Sequence, residues 1–333
     1  MLLLVACESS SVDPRDLRGA FERSSAGASS SATSTARSAA PVGSAASAAP
    51  ATSTLPPREP IDTQCVTPVG SARVPERVEG RPACRGAEVL EWRDERGDPR
   101  YACVFSPADA QARAPLPVIL YFHGTGPGLD DPGSLSKLTS LKELASSAAL
   151  GGAKPGFVLL GLQGRKLGEP ANTFDVDHVA DDNLDVRATD VFLGRLADRG
   201  LVDPRRIYAV GLGEGATFAL TYAALRPARV AATAVFAPLQ PRARWECPTP
   251  APPSWVLYRA CDAIATCESV EAWAGKGPLD QLVRVGDDSK AEPACSTRNK
   301  CTPKRATANH HRFPKGREKE LLAFLAKNEL RVR

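Results

Sequence analysis

Six largely apolar runs constrain the fold of this chain more than any other sequence feature. Each run is short and lacks the polar/apolar alternation of a half-exposed strand, so both faces of each strand are expected to be buried, as in a parallel sheet. The runs occupy residues 116–124, 156–164, 206–211, 230–238, 254–260 and 281–286. Helical patterns separate them, at residues 136–150, 183–200, 214–227, 269–275 and 316–330.

A hairpin precedes this alternating region. Within residues 88–107, the strand-like segments VLEW and YACVF flank the polar turn RDERGDPR. Asn183 is the expected N-cap of the helix that Gly200 ends. The sequence therefore predicts an α/β fold class, with a mainly parallel sheet of about eight strands and helices on both faces.

The first 60 residues differ in composition from the rest. From Ala26 to Pro57, 29 of 32 residues are Ala, Ser, Thr, Gly or Pro. Such a segment has too few large apolar groups to offset the entropy of ordering it, so residues 8–60 are predicted to be a disordered tether. The remaining 61–333, about 270 residues, suffice for one α/β domain with a sizeable core.

The chain begins with MLLLVAC, a short apolar run that ends at Cys7. Residues 4–7 resemble a bacterial lipobox, so residues 1–7 are predicted to be a lipoprotein signal and Cys7 the lipidated residue. The basic region that normally opens such a signal is missing, so the natural start is expected upstream. This predicts a domain held at the bacterial cell envelope, periplasmic or on the outer surface, by a lipid anchor in the membrane. A chance apolar N-terminus is the alternative.

Eight further cysteines fit an exported protein, because an even number of cysteines outside the cytoplasm indicates disulfides. Cys261 and Cys267, like Cys295 and Cys301, are close enough in sequence to close small loops. The other four allow three connectivities; they are Cys65, Cys84, Cys103 and Cys247. A zinc site is disfavoured because the chain has no C-x-x-C pair.

Charge gives two expectations about partners. The net charge of +4 argues against a dedicated nucleic-acid binder. The C-terminal residues 290–333 nevertheless carry twelve Lys and Arg against four Asp and Glu. They are interpreted as a solvated basic face, with docking to an anionic lipid or polymer surface as the alternative.

The segment VDPRRIYAVGLGEGATFAL, residues 202–220, indicates a strand, a glycine-rich turn and a helix. A nucleophile elbow has this layout and the pattern Gly-x-Ser-x-Gly. Gly211 and Gly215 occupy the flanking positions, and Gly213 stands where the serine is expected. A register that makes Glu214 the nucleophile would crowd the turn with Leu212, so Glu214 is interpreted as an acid favoured by the helix dipole.

Three further motifs lie in the chain on either side of this elbow, one before it and two after it. His123-Gly124-Thr125-Gly126 follows a predicted strand, and Asp262 follows another. NHHRFPKG, residues 309–316, carries two adjacent histidines before the last predicted helix.

From about Tyr101 onward, these motifs resemble the α/β-hydrolase superfamily, and within it the secreted polyhydroxybutyrate-depolymerase and feruloyl-esterase-like branch. The resemblance implies an α/β-hydrolase fold and carboxylic-ester hydrolysis without a cofactor or metal. Aligning H-x-W-P on residues 311–314 makes His311 the base, with His310 its neighbour, and Asp262 the acid that orients the imidazole. The backbone N–H groups of Gly124, Thr125 and Glu214 would form the oxyanion hole.

Glycine at position 213 changes what this resemblance predicts about activity. The favoured interpretation is a non-catalytic relative that binds an ester or polymer ligand in its cleft. One alternative is an active ester hydrolase that uses a displaced hydroxyl, from Thr125 or Thr217, or a histidine-activated water. Another is a non-catalytic protein that interacts with the envelope.

An acidic cluster in the segment FDVDHVADD is the last candidate site. It contains Asp175, Asp177, His178, Asp181 and Asp182. Its carboxylates could hold a hard cation. The favoured interpretation is an acidic loop that leads into the helix beginning near Asn183.

Overall fold

The computed structural model describes residues 60–73, 80–126, 128–129, 141–167, 171–247, 251–274, 281–286, 290, 295 and 301–330. The predicted signal with Cys7, and the predicted tether except Pro60, lie outside these residues. The predicted helix at 136–150 is described only from Leu141 onward, and it ends at Leu144 rather than at residue 150.

Eight strands form one sheet: β1 (Glu88–Arg93), β2 (Pro99–Phe105), β3 (Leu116–Phe122), β4 (Val158–Leu162), β7 (Val202–Leu212), β8 (Ala232–Phe236), β9 (Ser254–Arg259) and β10 (Gln281–Val285). Their order across the sheet is β1-β2-β4-β3-β7-β8-β9-β10. The β1–β2 and β2–β4 pairs are antiparallel and the other five are parallel. The predicted fold class and the predicted hairpin are confirmed. A separate two-stranded ribbon of β5 (Arg165–Lys166) and β6 (Asn172–Thr173) was not predicted.

The central strands are buried along their whole length. Every residue of β3, β4, β8 and β9 is buried. Because successive side chains of a strand point to opposite faces, both faces of the sheet are covered. This is why these strands have continuous apolar sequences, and why their positions could be predicted from the sequence.

Six α-helices have both of their ends among the described residues, and residues 141–144 are also helical. They are α1 (Ala110–Arg113), α2 (Leu184–Asp198), α3 (Glu214–Leu225), α4 (Cys267–Ala274), α5 (Pro303–His310) and α6 (Glu318–Ala326). Asn183 caps α2 as predicted, because its side chain accepts from the N–H groups of Asp185 and Val186. The helix α5 was not predicted, since its sequence lacks an apolar stripe. Within the described part of the chain, no helix combines the length and the apolar character needed to cross a membrane.

Four disulfides confirm the expectation from the even cysteine count, but not the small loops. The pairs are Cys65–Cys247, Cys84–Cys103, Cys261–Cys301 and Cys267–Cys295. Cys261 is the second residue after β9, and Cys301 lies two residues before the start of α5. Packing of α5 against the end of β9 brings these two segments together, with the two Cα atoms 5.7 Å apart. Proximity in sequence was therefore a poor guide to the pairing.

The acidic segment forms a loop that leads into α2, and its side chains make contacts within the fold. Asp175 is buried and accepts a hydrogen bond from the backbone of Arg73. Nε2 of His178 lies 2.7 Å from a carboxylate oxygen of Asp182. Asp181 forms an ion pair with Arg226 at 3.0 Å, and Asp177 forms another with Arg242. These contacts give the acidic side chains structural roles in the fold.

Candidate active site

The predicted elbow lies between the end of β7 and the start of α3. Gly213 is the N-cap residue of α3, with backbone angles φ +56° and ψ −123°. Its N–H donates to the carbonyl of Phe236 at 2.9 Å, and its carbonyl accepts from the N–H groups of Ala216 and Thr217. Such angles are strained for a residue with a side chain, and glycine tolerates them. The turn therefore has the backbone that an elbow nucleophile requires.

The two flanking glycines are needed for close packing of the turn. A Cβ added to Gly211 would lie 2.2 Å from the carbonyl oxygen of Gly215. A Cβ added to Gly215 would lie 2.2 Å from the carbonyl oxygen of His123, at the end of β3. No side chain fits at either position without moving the backbone. The glycine pattern of the sequence thus corresponds to a sharp strand–turn–helix packed against the neighbouring strand.

Asp262 and His310 form a buried pair beside this turn. The Asp262 side chain is fully buried, and its Oδ1 accepts from the N–H groups of Ile264 and Ala265 at 2.8 and 2.9 Å. Nδ1 of His310 lies 3.2 Å from both carboxylate oxygens. The backbone fixes the carboxylate, and the carboxylate in turn orients the imidazole.

The structure corrects the sequence alignment, which placed His311 in this position. The helix α5 ends at His310, and His311 is its C-cap residue and is exposed. The two rings are 5.2 Å apart. Adjacent residues of a helix differ by about 100° in direction, so only one of two neighbouring histidines can face a given carboxylate. A motif alignment without the helix could not make this choice.

Two connections hold α5 at the acid loop. The Cys261–Cys301 disulfide joins the residue before Asp262 to the segment that begins the helix. Nδ2 of Asn309 donates to the carbonyl of Cys261 at 2.7 Å. These links position His310, which follows Asn309 directly.

The imidazole of His310 faces the elbow glycine. A Cβ added to Gly213 would lie 3.2 Å from Nε2 of His310 and 3.9 Å from Cα of Gly124. The structure thus brings together four predicted elements: the elbow, the acid, the histidine segment and the His-Gly loop. In a serine hydrolase this arrangement places a hydroxyl against the imidazole. Here the residue between them carries no side chain.

His123 of the His-Gly loop has a structural role. It is fully buried, its Nε2 accepts from the N–H of Gly164 at 2.9 Å, and its Nδ1 donates to the carbonyl of Gly124 at 2.7 Å. A Cβ on Gly124 would lie 3.2 Å from the carbonyl oxygen of Leu212. The loop therefore packs directly against the elbow, as the predicted oxyanion-hole role of Gly124 and Thr125 requires.

Glu214 places a carboxylate at this loop, which sequence reasoning missed. Its Oε2 accepts from the hydroxyl of Thr125 at 2.5 Å and also from the hydroxyl of Thr173. The sequence suggested only an acid in the first turn of α3. The contact with Thr173 depends on the β5–β6 ribbon, which no local pattern predicts.

The two candidate hydroxyls for a displaced nucleophile have other partners. Thr217 is buried, and its Oγ1 accepts from the N–H of Leu239 at 2.9 Å and lies 3.4 Å from the carbonyl oxygen of the same residue. Thr125 donates to Glu214. Neither contact directs a hydroxyl toward His310.

Comparisons with known proteins identify the fold. No family model and no curated protein matches the sequence. Among solved structures, a thermostable esterase matches with a TM-score of 0.50 at 14% identity, over 74% of this chain and 64% of that chain. The domain has the α/β-hydrolase fold.

Other structures similar to the chain are also esterases. An esterase of the planctomycete Thermogutta terrifontis matches with a TM-score of 0.47 at 18% identity, over 63% of this chain and 85% of that one. A second structure of the same esterase, phosphonylated by cyclosarin, matches with a TM-score of 0.46 at 19% identity, over 74% of this chain and 95% of that one. The polyhydroxybutyrate-depolymerase and feruloyl-esterase-like branch stays a prediction.

Proposed function

We propose that this protein is a non-catalytic relative of the carboxylic-ester hydrolases that binds an ester or polymer ligand beside its elbow. The observation that carries the proposal is Gly213, which occupies the nucleophile position of an otherwise complete arrangement. The scaffold, the oriented imidazole of His310 and the His-Gly loop support retention of a ligand site. The missing hydroxyl supports loss of the covalent chemistry.

The expected loss of catalysis is large. Removing the serine of a Ser-His-Asp triad lowers kcat by about 10⁶-fold and leaves roughly 10³–10⁴-fold over water. His310 can accept a proton only from a group held near its Nε2, and Gly213 offers none. An intact Asp262–His310 pair therefore does not compensate for the glycine.

The carboxylate of Glu214 supports the same conclusion. An oxyanion hole works by placing hydrogen-bond donors and positive charge where negative charge develops. Glu214 instead holds a carboxylate against the hydroxyl of Thr125, the residue whose N–H is predicted to donate to the oxyanion. A negative charge at this point opposes an alkoxide and favours a neutral or cationic ligand group.

The direct test is reaction of the purified protein with p-nitrophenyl butyrate and with a fluorophosphonate probe. The wild type is expected to give no turnover above buffer and no covalent label. The Gly213→Ser variant is expected to gain label, and adding His310→Ala to it should remove the label again. Labelling of the wild type would overturn the proposal. Saturation-transfer NMR with the ester measures binding without turnover.

A second candidate function is hydrolysis by a histidine-activated water. The retained Asp262–His310 pair favours it, because the carboxylate would stabilise an imidazolium formed by proton abstraction. This mechanism predicts slow ester hydrolysis that His310→Ala abolishes and that the fluorophosphonate probe does not report. Hydrolysis that is unchanged in His310→Ala would exclude it.

We further propose that Cys7 anchors the domain to the bacterial envelope through a lipid. The lipobox-like residues 4–7 and the Ala/Ser/Pro-rich composition that follows support this. Mass spectrometry of the protein expressed in a bacterial host tests it. An acylated N-terminal peptide is expected, and the Cys7→Ser variant should lose both the acyl mass and the membrane fraction. An unmodified Cys7 in membranes would contradict the proposal.

A further inference from the structure

The carboxylate of Glu214 has no cationic partner in the part of the chain that the structure describes. Its Oε2 accepts from the hydroxyls of Thr125 and Thr173, and no described Lys or Arg side chain forms an ion pair with it. Its Oε1 accepts no hydrogen bond from any described residue. The side chain is partly exposed, so Oε1 can contact a ligand at the His-Gly loop.

The imidazole of His310 offers a second acceptor. Its side chain is only 8% exposed, and its Nδ1 faces the carboxylate of Asp262. With the ring proton on Nδ1, Nε2 carries a lone pair. That Nε2 lies 3.2 Å from the position of a Cβ on Gly213 and has no hydrogen-bond partner among the described residues. A side chain buried to more than nine-tenths with an open acceptor indicates a ligand that donates.

Both acceptors lie next to the space that the missing side chain of Gly213 leaves. Glu214 follows Gly213 in the chain, and its partner Thr125 follows Gly124. A Cβ on Gly213 would lie 3.9 Å from Cα of Gly124 and 3.2 Å from Nε2 of His310. A small group that fills this space can therefore contact the imidazole and approach the carboxylate.

The charges around this space favour a cation. Glu214 and Asp262 each supply a carboxylate, whereas the positive end of the α3 dipole corresponds to only about half a charge. A metal ion is a poor match, because Glu214 belongs to no cluster of three potential metal ligands within the described ranges. An ammonium group needs only a counter-charge and acceptors for its three N–H donors.

We propose that this site selects ligands that carry a protonated primary amine, with the ammonium held between Glu214 and Nε2 of His310. Three donors let one ammonium contact both acceptors, and hydrogen bonds of charged groups are about twice as strong as neutral ones. A hydroxyl has one donor and a quaternary ammonium has none, so both should bind more weakly. This inference rests on the proposed function, because it names the chemical class of the ester or polymer that the site binds.

The test compares three ethyl esters of nearly equal size. Ethyl 4-aminobutyrate carries the ammonium, ethyl pentanoate has a methyl group in its place, and monoethyl glutarate has a carboxylate there. In saturation-transfer NMR titrations of the full chain at low salt, the ammonium ester should bind about tenfold more tightly than ethyl pentanoate. Monoethyl glutarate should show no saturable binding. Added salt should weaken the binding of the ammonium ester alone, because salt screens exposed charges.

Two variants assign this preference to the two acceptors. Glu214→Gln keeps the size of the side chain and removes its charge, so the Kd values of the ammonium and methyl esters should come within about twofold of each other. The matched control is Glu320→Gln, the same change at an exposed carboxylate in α6, which should keep the preference. His310→Ala removes the other acceptor and should reduce the preference to about threefold, which provides a second variant if Glu214→Gln fails to fold.

The outcomes separate this inference from the proposed function. Equal binding of the ammonium and methyl esters by the wild type, or an unchanged preference in Glu214→Gln, overturns the inference and leaves the proposed function standing. Absence of binding by all three esters contradicts the ligand site and the inference together. Turnover confined to the ammonium ester would support the charge preference while contradicting the non-catalytic assignment.

Discussion

A side chain at residue 213 is expected to lower the free energy of unfolding, and a serine there is also expected to react with the fluorophosphonate probe. Gly213 has φ +56° and ψ −123°, which cost a residue with a Cβ about 1–3 kcal/mol. Replacing glycine also lowers the entropy of the unfolded chain, which returns about 0.4–1 kcal/mol. A net loss of roughly 1–2 kcal/mol follows for both Gly213→Ala and Gly213→Ser.

The contact with His310 adds to this cost. The new Cβ would lie 3.2 Å from Nε2 of His310, so the imidazole must move away by a few tenths of an ångström. In a domain of this size, 1 kcal/mol shifts Tm by about 2–4 °C, so a fall of about 2–8 °C is expected for each variant. A serine hydroxyl can bond to Nε2, whereas an alanine methyl cannot.

Differential scanning calorimetry and fluorophosphonate labelling together give the assay. Both variants should melt lower than the wild type, but only Gly213→Ser should take up label. A matched control is Gly194→Ala in α2, where the added Cβ meets no atom within 4 Å. It should raise stability by about 0.5–1 kcal/mol, the opposite sign for the same chemical change. An unchanged Tm in both residue 213 variants, or label on the alanine variant, would refute the reasoning.

Three further outcomes are expected. In the serine variant, His310→Ala should abolish labelling and His311→Ala should leave most of it, measured by probe fluorescence in gels; the reverse result would restore the original alignment. Replacing Cys261 and Cys301 by serine should lower the free energy of unfolding, measured with denaturant, by about 2–4 kcal/mol. The unfolded chain gains conformational entropy, and the covalent link between the acid loop and α5 is lost. Unchanged stability would argue against this pairing. Burial, and then the nearby charge of Asp190, raise the pKa of Tyr222 above its ordinary value. The protonated phenol therefore contributes its full stabilisation below about pH 10, and this contribution is lost as pH rises further. Circular dichroism during alkaline titration should show unfolding of the wild type, and the unfolding should be less pronounced in Tyr222→Phe.

The sequence determined the features that depend on local patterns. The six apolar runs located β3, β4 and β7–β10, and the hairpin pattern located β1 and β2. The central strands were predictable because strands buried on both faces can contain few polar residues. The glycine spacing located the elbow, because Gly211 and Gly215 have no room for a Cβ. The presence of Gly213 where the Gly-x-Ser-x-Gly pattern has serine is also read from the sequence alone.

The tertiary structure decided which side chains meet across the chain. The direction of α5 selects His310 rather than His311 as the partner of Asp262, and docking of that helix pairs Cys261 with Cys301. The approach of the β5–β6 ribbon gives Glu214 its contact with the hydroxyl of Thr173. Periodicity reports which side of an element is buried, whereas these contacts depend on where distant elements lie in three dimensions.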